Sequence, residues 1–300
     1  MLSSVLSKCR LCPRRCRADR ASGEMGFCGA GILPRVARAA LHHWEEPCVS
    51  GTRGSGTVFF SRCNMRCVFC QNHRISHGGF GKEIAAGELA GIFLRLQARG
   101  AHNINLVSPT PFIPQITEAL LAARAGGLTI PVVYNTNAYE LPDALRLLDG
   151  LVDIYLPDLK YASDELAVRY SAAPRYFEFA TQAILEMLRQ VGPPQFDEHG
   201  LVTRGLIVRH LVLPGQVGDS RRVLDWIRAN LPLEVYVSVM SQYTPMFRAK
   251  SHPELNRRLT REEYDDVLDH FVSIGLENGY MQEESSARED FVPDFDLTGL

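Results

Sequence analysis

Eight cysteines, Cys9, Cys12, Cys16, Cys28, Cys48, Cys63, Cys67 and Cys70, crowd the start of the chain, and the remaining 230 residues hold none. Random placement would confine all eight to the first 70 residues with odds on the order of one in 100,000, so the crowding has a local chemical cause. Thiolates are soft metal ligands, and spacings of two or three residues let several converge on one centre. Disulfides explain the pattern less well. A chain of 300 residues can build a core without them, and a reducing cytoplasm disfavours them.

Two groups separate by spacing. Cys63, Cys67 and Cys70 lie within GTVFFSRCNMRCVFCQNH. Three thiolates on a tight loop can hold three irons of a 4Fe–4S cube and leave the fourth iron open to a substrate or cofactor. The alternative is a zinc site completed by His73. Cys9, Cys12, Cys16 and Cys28 are by themselves a complete tetrahedral set. Structural zinc, a second iron–sulfur cluster and disulfides or free thiols all remain open for them. Residues 1–20 carry a net charge of +5; these arginines either offset thiolate charge or are solvated, and they are too few and too local for a nucleic-acid surface. Cys48, alone in EEPCVSG, reads as a small buried hydrophobe.

The C-x3-C-x-aromatic-C spacing, with Phe69 just before Cys70, resembles the signature of the radical S-adenosylmethionine (radical SAM) enzymes. In that superfamily the open iron is chelated by the amino and carboxylate groups of SAM. One electron from the reduced cluster then cleaves the sulfonium to a 5′-deoxyadenosyl radical, which abstracts hydrogen from the substrate. The resemblance implies an oxidoreductase with Cys63, Cys67 and Cys70 as catalytic cluster ligands. It also implies SAM as cofactor and a one-electron donor such as flavodoxin or ferredoxin as partner.

Three further segments are similar to the activating enzymes of glycyl-radical enzymes, of which pyruvate formate-lyase activating enzyme is the best known. They are NTN at Asn135–Asn137, DLK at Asp158–Lys160 and RHLVLPG at Arg209–Gly215. By that likeness Asp158 meets the ribose hydroxyls or ammonium of SAM and Lys160 its carboxylate, a partner of each sign for a zwitterion. A solvated strand-to-helix turn is the alternative for this pair. The chain departs from the pattern where SPTPF, residues 108–112, replaces the usual G-G-E; there Ser108 and Thr110 keep hydrogen-bonding capacity. Asn135 stands where those enzymes have an acid, and Tyr243 where their last strand offers a histidine. The expected cofactor-binding set is Phe69, Asn72, Ser108, Thr110, Asn135, Asn137, Asp158, Lys160, His210 and Tyr243. Nearly the whole chain is similar to a branch related to pyruvate formate-lyase activating enzyme, whose substrate the resemblance does not supply. A glycyl-radical enzyme is the expected protein substrate, with a peptide or small molecule as the alternative. A non-catalytic zinc protein is the alternative of a different class.

The elements that must position these residues follow from periodicity. Strands are predicted at about 56–61, 103–108, 131–135, 151–157, 205–213 and 234–240, with amphipathic helical patterns between them. This alternation argues a parallel α/β architecture with right-handed crossovers. The resemblance implies its curved form, a partial (β/α)6 TIM-like barrel at residues 51–300 preceded by a Cys-rich metal-binding extension at 1–50. The three cysteines follow the first strand directly, which places them at the C-terminal rim, where such barrels carry chemistry.

Composition removes other classes. With 46% hydrophobic residues and a net charge of −2, the chain is neither disordered nor a general polyanion binder. No charge-poor apolar run reaches the length of about 18 residues that spans a bilayer, and MLSSVLSKCR lacks a signal-peptide core, so the expected location is the cytoplasm. SHGGFGKE is not a phosphate loop, because Glu83 follows Lys82 where Ser or Thr is needed; a flexible lid or linker is expected. GPPQFDEHG, residues 192–200, is expected to be a connection bordering the substrate mouth. Asn72 and His73 serve either the cluster or a loop cap, and Met240 and Met246 are expected in the core. The last 50 residues, net −9, read as a solvated acidic helix and tail.

Overall fold

In parallel strands covered on both faces, alternate side chains meet two different cores, and here one face packs on helices while the other closes an interior. The computed structural model describes residues 5–281 and 293–300. Part of the predicted acidic tail, residues 282–292, and the first four residues lie outside the described residues. All six predicted strands form: β2 (Ser55–Phe60), β4 (Ile104–Val107), β5 (Val132–Thr136), β6 (Ile154–Pro157), β8 (Val202–Leu211) and β9 (Tyr236–Met240). They run parallel in that spatial order, and a short β10 (Gly279–Met281) adds a seventh parallel strand beside β9. This is the expected α/β sheet curved into a partial barrel.

Crossovers are made by helices Ala86–Ala98, Ile113–Ala125, Tyr176–Val191 and Val217–Asn230, and Arg261–Ser273 leads to β10. Thr260 and Glu263 cap the last of these reciprocally, the capping-box arrangement. LPDALRLLDG yields only a single turn, Pro142–Leu145, and a 3-10 turn, Arg146–Leu148, before Asp149 and Gly150 end it. Among the described residues, no helix is long and apolar enough to cross a membrane.

One strand escaped prediction. β1 (Arg35–His42), antiparallel to β2, extends the sheet and carries the two-residue β3 (Lys82–Glu83) on its outer edge. The N-terminal 50 residues therefore contribute a strand to the barrel sheet as well as the cysteine-bearing segment.

Outward-facing Val58, Leu106, Tyr134, Tyr155, Leu206 and Val237 join the main core against the helices. Inward, Val133, Ile154, Leu156 and Ile207 pack with Cys48 and Val49 of the turn Pro47–Ser50, which plugs the barrel from below. Cys48 is thus a buried packing residue. Two residues further along each chain segment, the same alternation turns Asn135, Asp158 and Arg209 inward above that plug.

Two connections differ from expectation. Residues 192–200 precede β8, and their two-residue β7 (Gln195–Phe196) pairs with its start, Val202 and Arg204. They lie at the N-terminal ends of the strands, opposite the rim, because a connection entering a parallel strand must. SHGGFGKE is no lid. Arg35 Nη1 donates to the Gly79 and Gly81 carbonyls at 3.5 and 3.3 Å, and the segment runs on into β3. Gly79 takes a left-handed backbone with φ of +70°, which favours glycine, and it lies close against the Arg62 guanidinium.

Candidate active site

At the C-terminal rim lies a cavity of about 250 Å3. Its wall contains Cys63, Cys67 and Cys70 together with Phe69, Asn72, Ser108, Asn135, Asn137, Asp158, Lys160 and Tyr243. The cavity thus gathers eleven residues singled out by motif from five separate stretches of sequence.

The thiols are held by a loop that follows β2 and is tied down elsewhere: the amides of Arg66 and Val68 donate to the carbonyls of Ser171 and Tyr170 at 2.9 and 2.8 Å. Each sulfur has a polar neighbour. Cys63 Sγ accepts from the Met65 amide at 3.4 Å and from Asn137 Nδ2 at 3.3 Å. Ser171 Oγ donates to Cys67 Sγ at 3.0 Å, and Cys70 Sγ lies 3.2 Å from Ser76 Oγ. Burial pushes the Cys63 thiol up to about 12 and the Cys70 thiol to about 11. Thiolates in so dry a site require a strong compensating cation, which ligated iron supplies.

The donor set fits a cluster with one open iron. Three thiols face the cavity, Cys48 lies far below, and His73 is turned aside with its ring stacked on Phe247, centroids 4.7 Å apart. In this arrangement His73 does not join the three thiols at the cavity. Among the described residues, no three His, Cys, Asp or Glu side chains close on one point as a single ion requires. The cavity beside the thiols leaves space for a cofactor, and the hydrogen bonds from Asn137, Ser171 and the Met65 amide are of the kind that tunes cluster potentials.

Beneath the thiols runs a buried polar layer. Arg209 is its hub, donating from Nε to Asp158 Oδ1 at 2.8 Å, from Nη2 to Asn135 Oδ1 at 2.6 Å and from Nη1 to Glu45 Oε2 at 3.1 Å. Glu45 Oε1 in turn accepts from Asn105 Nδ2 at 2.9 Å and Asn135 Nδ2 at 3.3 Å. Lys160 Nζ donates to Asp158 Oδ2 at 2.6 Å, so Asp158 and Lys160 form a buried pair instead of a solvated turn. Burial alone would raise the Asp158 carboxyl, but the Arg209 and Lys160 charges outweigh it and hold the carboxyl below its ordinary value. Burial lowers the Lys160 ammonium, and Asp158 more than restores it. Both groups are therefore ionised at neutral pH, presenting one charge of each sign to the cavity.

Ser108 sits where glycine would be at ease. Its φ is +58°, and its amide donates to the Asn135 carbonyl at 2.9 Å. A left-handed backbone on a non-glycine residue costs about 1 kcal/mol, and such strain gathers at functional sites. Asn72 lines the cavity without capping the turn His73–Ser76 by its side chain. Tyr243 offers its ring, edge-on to Phe69 at 5.8 Å, while its hydroxyl is spent on the Leu255 carbonyl at 2.7 Å. Met240 is buried as expected and also borders the cavity, and Met246 is half-buried.

Two expected residues lie elsewhere. His210 faces outward, fully buried, with Nδ1 2.7 Å from the Leu159 carbonyl and Nε2 2.9 Å from Ser220 Oγ. Strand alternation gives the inward place to its neighbour Arg209. Thr110 is buried in the 3-10 turn Thr110–Phe112 and donates from Oγ1 to Glu140 Oε1 at 2.6 Å. Sequence reasoning missed Glu45, His42, Trp44 and Gln242, which also line the cavity. Arg209 was within reach, since it heads the RHLVLPG motif.

The four N-terminal cysteines come together in a separate small cavity with Leu11, Arg14, Arg20, Phe27, Asn64, Thr110 and Pro111. No disulfide links them.

A model of the Radical SAM superfamily matches residues 57–227. The uncharacterized protein MJ0674 of Methanocaldococcus jannaschii is 34% identical over 276 residues, which cover 89% of this chain and 75% of that protein. Among solved structures, the fold is similar to Streptococcus suis SuiB bound to S-adenosylmethionine, with TM-score 0.51, 14% identity, and coverage of 74% of this chain and 48% of SuiB. It is also similar to the FeFe-hydrogenase maturase HydG from Carboxydothermus hydrogenoformans, with TM-score 0.50, 12% identity, and coverage of 79% of this chain and 56% of HydG. The present chain thus spans about half the length of each of those two proteins, and the likeness is one of fold.

Proposed function

Because this chain belongs to the radical SAM superfamily, we propose that Cys63, Cys67 and Cys70 hold a 4Fe–4S cluster at which SAM is reductively cleaved. Held by these three cysteines, a 4Fe–4S cluster would supply the electron for reductive cleavage of SAM, the chemistry that removes a hydrogen atom from the substrate. The observation that carries the reading is the convergence of three buried thiols with the Asp158–Lys160 pair on one cavity.

In this reading Lys160 offers its remaining N–H donors to the SAM carboxylate, and Asp158 accepts from the ammonium or ribose hydroxyls. Arg209 and Glu45 fix Asp158 and Asn135 in place, so that the polar layer needs little rearrangement when the zwitterion enters. Phe69 and Tyr243 close the wall with apolar surface and keep water from the reacting centre. Asn137, Ser171 and the Met65 amide stabilise the sulfurs by hydrogen bonding.

We extend the proposal to the substrate. The similarity of Asn135–Asn137, Asp158–Lys160 and Arg209–Gly215 to the activating enzymes of glycyl-radical enzymes supports a segment of another protein, the glycine loop of a glycyl-radical enzyme, over a small molecule. An acidic low-potential carrier such as flavodoxin or ferredoxin would supply the electron, in the cytoplasm.

The test is 5′-deoxyadenosine release by protein purified without oxygen, given SAM and dithionite. Each of Cys63→Ala, Cys67→Ala and Cys70→Ala should abolish it; release unchanged in the triple variant would sink the assignment. For the substrate, a stable backbone radical on a partner protein, read by electron paramagnetic resonance, supports activation. An altered small molecule with no partner radical overturns it.

A further inference from the structure

The N-terminal thiols are arranged as a built site. Tight turns fold the segment on itself: the Cys9 amide donates to the Ala18 carbonyl at 3.1 Å, Arg17 to Cys9 at 2.9 Å and Arg15 to Cys12 at 3.0 Å. Arg15 and Arg17 take left-handed backbones, with φ of 41° and 60°, strain that persists only where the surroundings fix it. A Cβ on Gly26 would stand 2.4 Å from Cys16 Sγ, so the backbone there is pressed against the thiol. The four thiols line one small cavity.

A buried cation faces them. Arg20 is 1% exposed, and its guanidinium spends its hydrogen bonds on the Gly31 and Pro111 carbonyls, with Nη1 3.9 Å from Cys9 Sγ. Among the described residues it has no carboxylate partner, which leaves its charge to offset an anionic centre.

The two cysteine groups share a wall. Arg14, two residues after Cys12, lies 3.7 Å over the Phe27 ring and donates from Nε to the Asn64 carbonyl at 2.9 Å, and Asn64 adjoins Cys63. Arg14 also donates to the Ala172 carbonyl, beside the Ser171 that bonds Cys67. On the outer side, Cys16 is exposed among exposed Lys8, Arg10, Arg15 and Arg17, with the apolar side chains of Met25 and Phe27 also at the surface.

We propose that Cys9, Cys12, Cys16 and Cys28 hold a second iron–sulfur cluster, through which an acidic one-electron carrier protein, docked on the basic surface around Cys16, feeds the site at Cys63, Cys67 and Cys70. The carrier loses one electron, the N-terminal centre gains it and loses it again by way of the Arg14–Asn64 wall, and no bond is made or broken. Only the destination of the electron rests on the proposed function; the cluster itself does not. A structural zinc would need neither the contact with the other site nor a basic docking rim.

The experiment uses the full chain reconstituted without oxygen. The triple variant Cys63→Ala/Cys67→Ala/Cys70→Ala should retain about four irons and four sulfides and give a paramagnetic signal on reduction. Zinc in place of iron, or no metal, overturns the proposal. Cys12→Ala/Cys28→Ala should still form 5′-deoxyadenosine with dithionite, which is small enough to reach the other cluster directly, and lose it with reduced flavodoxin. Equal loss with both reductants would mean that the site is only structural. Lys8→Glu/Arg10→Glu, on the surface, should slow flavodoxin-driven turnover by about tenfold and leave the dithionite rate unchanged; an unchanged flavodoxin rate overturns the docking surface. Wild-type protein that makes no product with dithionite would defeat the proposed function, while the iron content of the triple variant would still decide this one.

Discussion

Asp158 and Arg209 face each other across a parallel bridge that continues β6 and β8, and Arg209 Nε lies 2.8 Å from Asp158 Oδ1. The same guanidinium also holds Glu45 and Asn135, so one side chain fixes three walls of the cavity. Removing one partner of a buried ion pair costs about 3–5 kcal/mol, because the other charge is left uncompensated. Arg209→Met should lower stability by an amount of that order and weaken SAM binding. Adding Glu45→Gln, which removes one orphaned charge, should recover part of the stability. Thermal unfolding and SAM titration read both; unaltered SAM affinity in Arg209→Met would show that the layer does not position the cofactor.

His210 gives the opposite expectation, although it is the adjacent residue. Its two ring nitrogens are engaged by Leu159 and Ser220 outside the cavity. His210→Phe should cost about 1–3 kcal/mol in stability through the unpaired groups it leaves. SAM affinity of the folded variant should match wild type, and a selective loss of affinity would place His210 in the site after all.

Glu140 should make stability depend on pH. Its Oε1 accepts from the hydroxyls of Thr110, Thr136 and Tyr134 at 2.6, 2.7 and 3.1 Å, yet complete burial dominates and raises the carboxyl to about 7. The folded state thus holds a proton that the unfolded state releases above about 4.5, and this group makes stability fall as pH rises from there to about 7. Below that window its penalty is absent; above it the penalty is about 3 kcal/mol. Glu140→Gln cannot ionise, so its stability relative to wild type should grow by that amount across the window. Denaturant unfolding at several pH values measures the difference, and a pH-independent difference would show that Glu140 is ionised throughout.

Ser171 should tune the cluster. Its hydroxyl donates to Cys67 Sγ at 3.0 Å and stands 2.7 Å from the Tyr161 hydroxyl. A hydrogen bond to sulfur favours the more negative, reduced cluster. Ser171→Ala should lower the one-electron potential by about 20–40 mV, a fraction of a bond worth about 1 kcal/mol. Spectroelectrochemistry of the iron-loaded protein reads this directly; a rise in potential would contradict the assigned direction.

The sequence by itself determined the cluster loop and the strands. Cys63, Cys67 and Cys70 lie within eight residues, so their convergence is a property of one local turn and is readable from spacing. The six parallel strands are covered on both faces and show as β-rich apolar runs, which made a parallel α/β sheet predictable before any contact was known, while its curved form followed from the family resemblance. β1 hid because RVARAALH mixes arginine into an antiparallel edge strand, and β10 because three residues are too few to show a period. Tertiary structure alone decided which of Arg209 and His210 enters the cavity. Alternation fixes that neighbours point to opposite faces but leaves the phase open, and a one-residue choice exchanges them. It alone brought in Glu45, which meets Asn105, Asn135 and Arg209 from 60, 90 and 164 residues away. Closure of the sheet carries these charges into one dry layer, where each is stable only because the others are present.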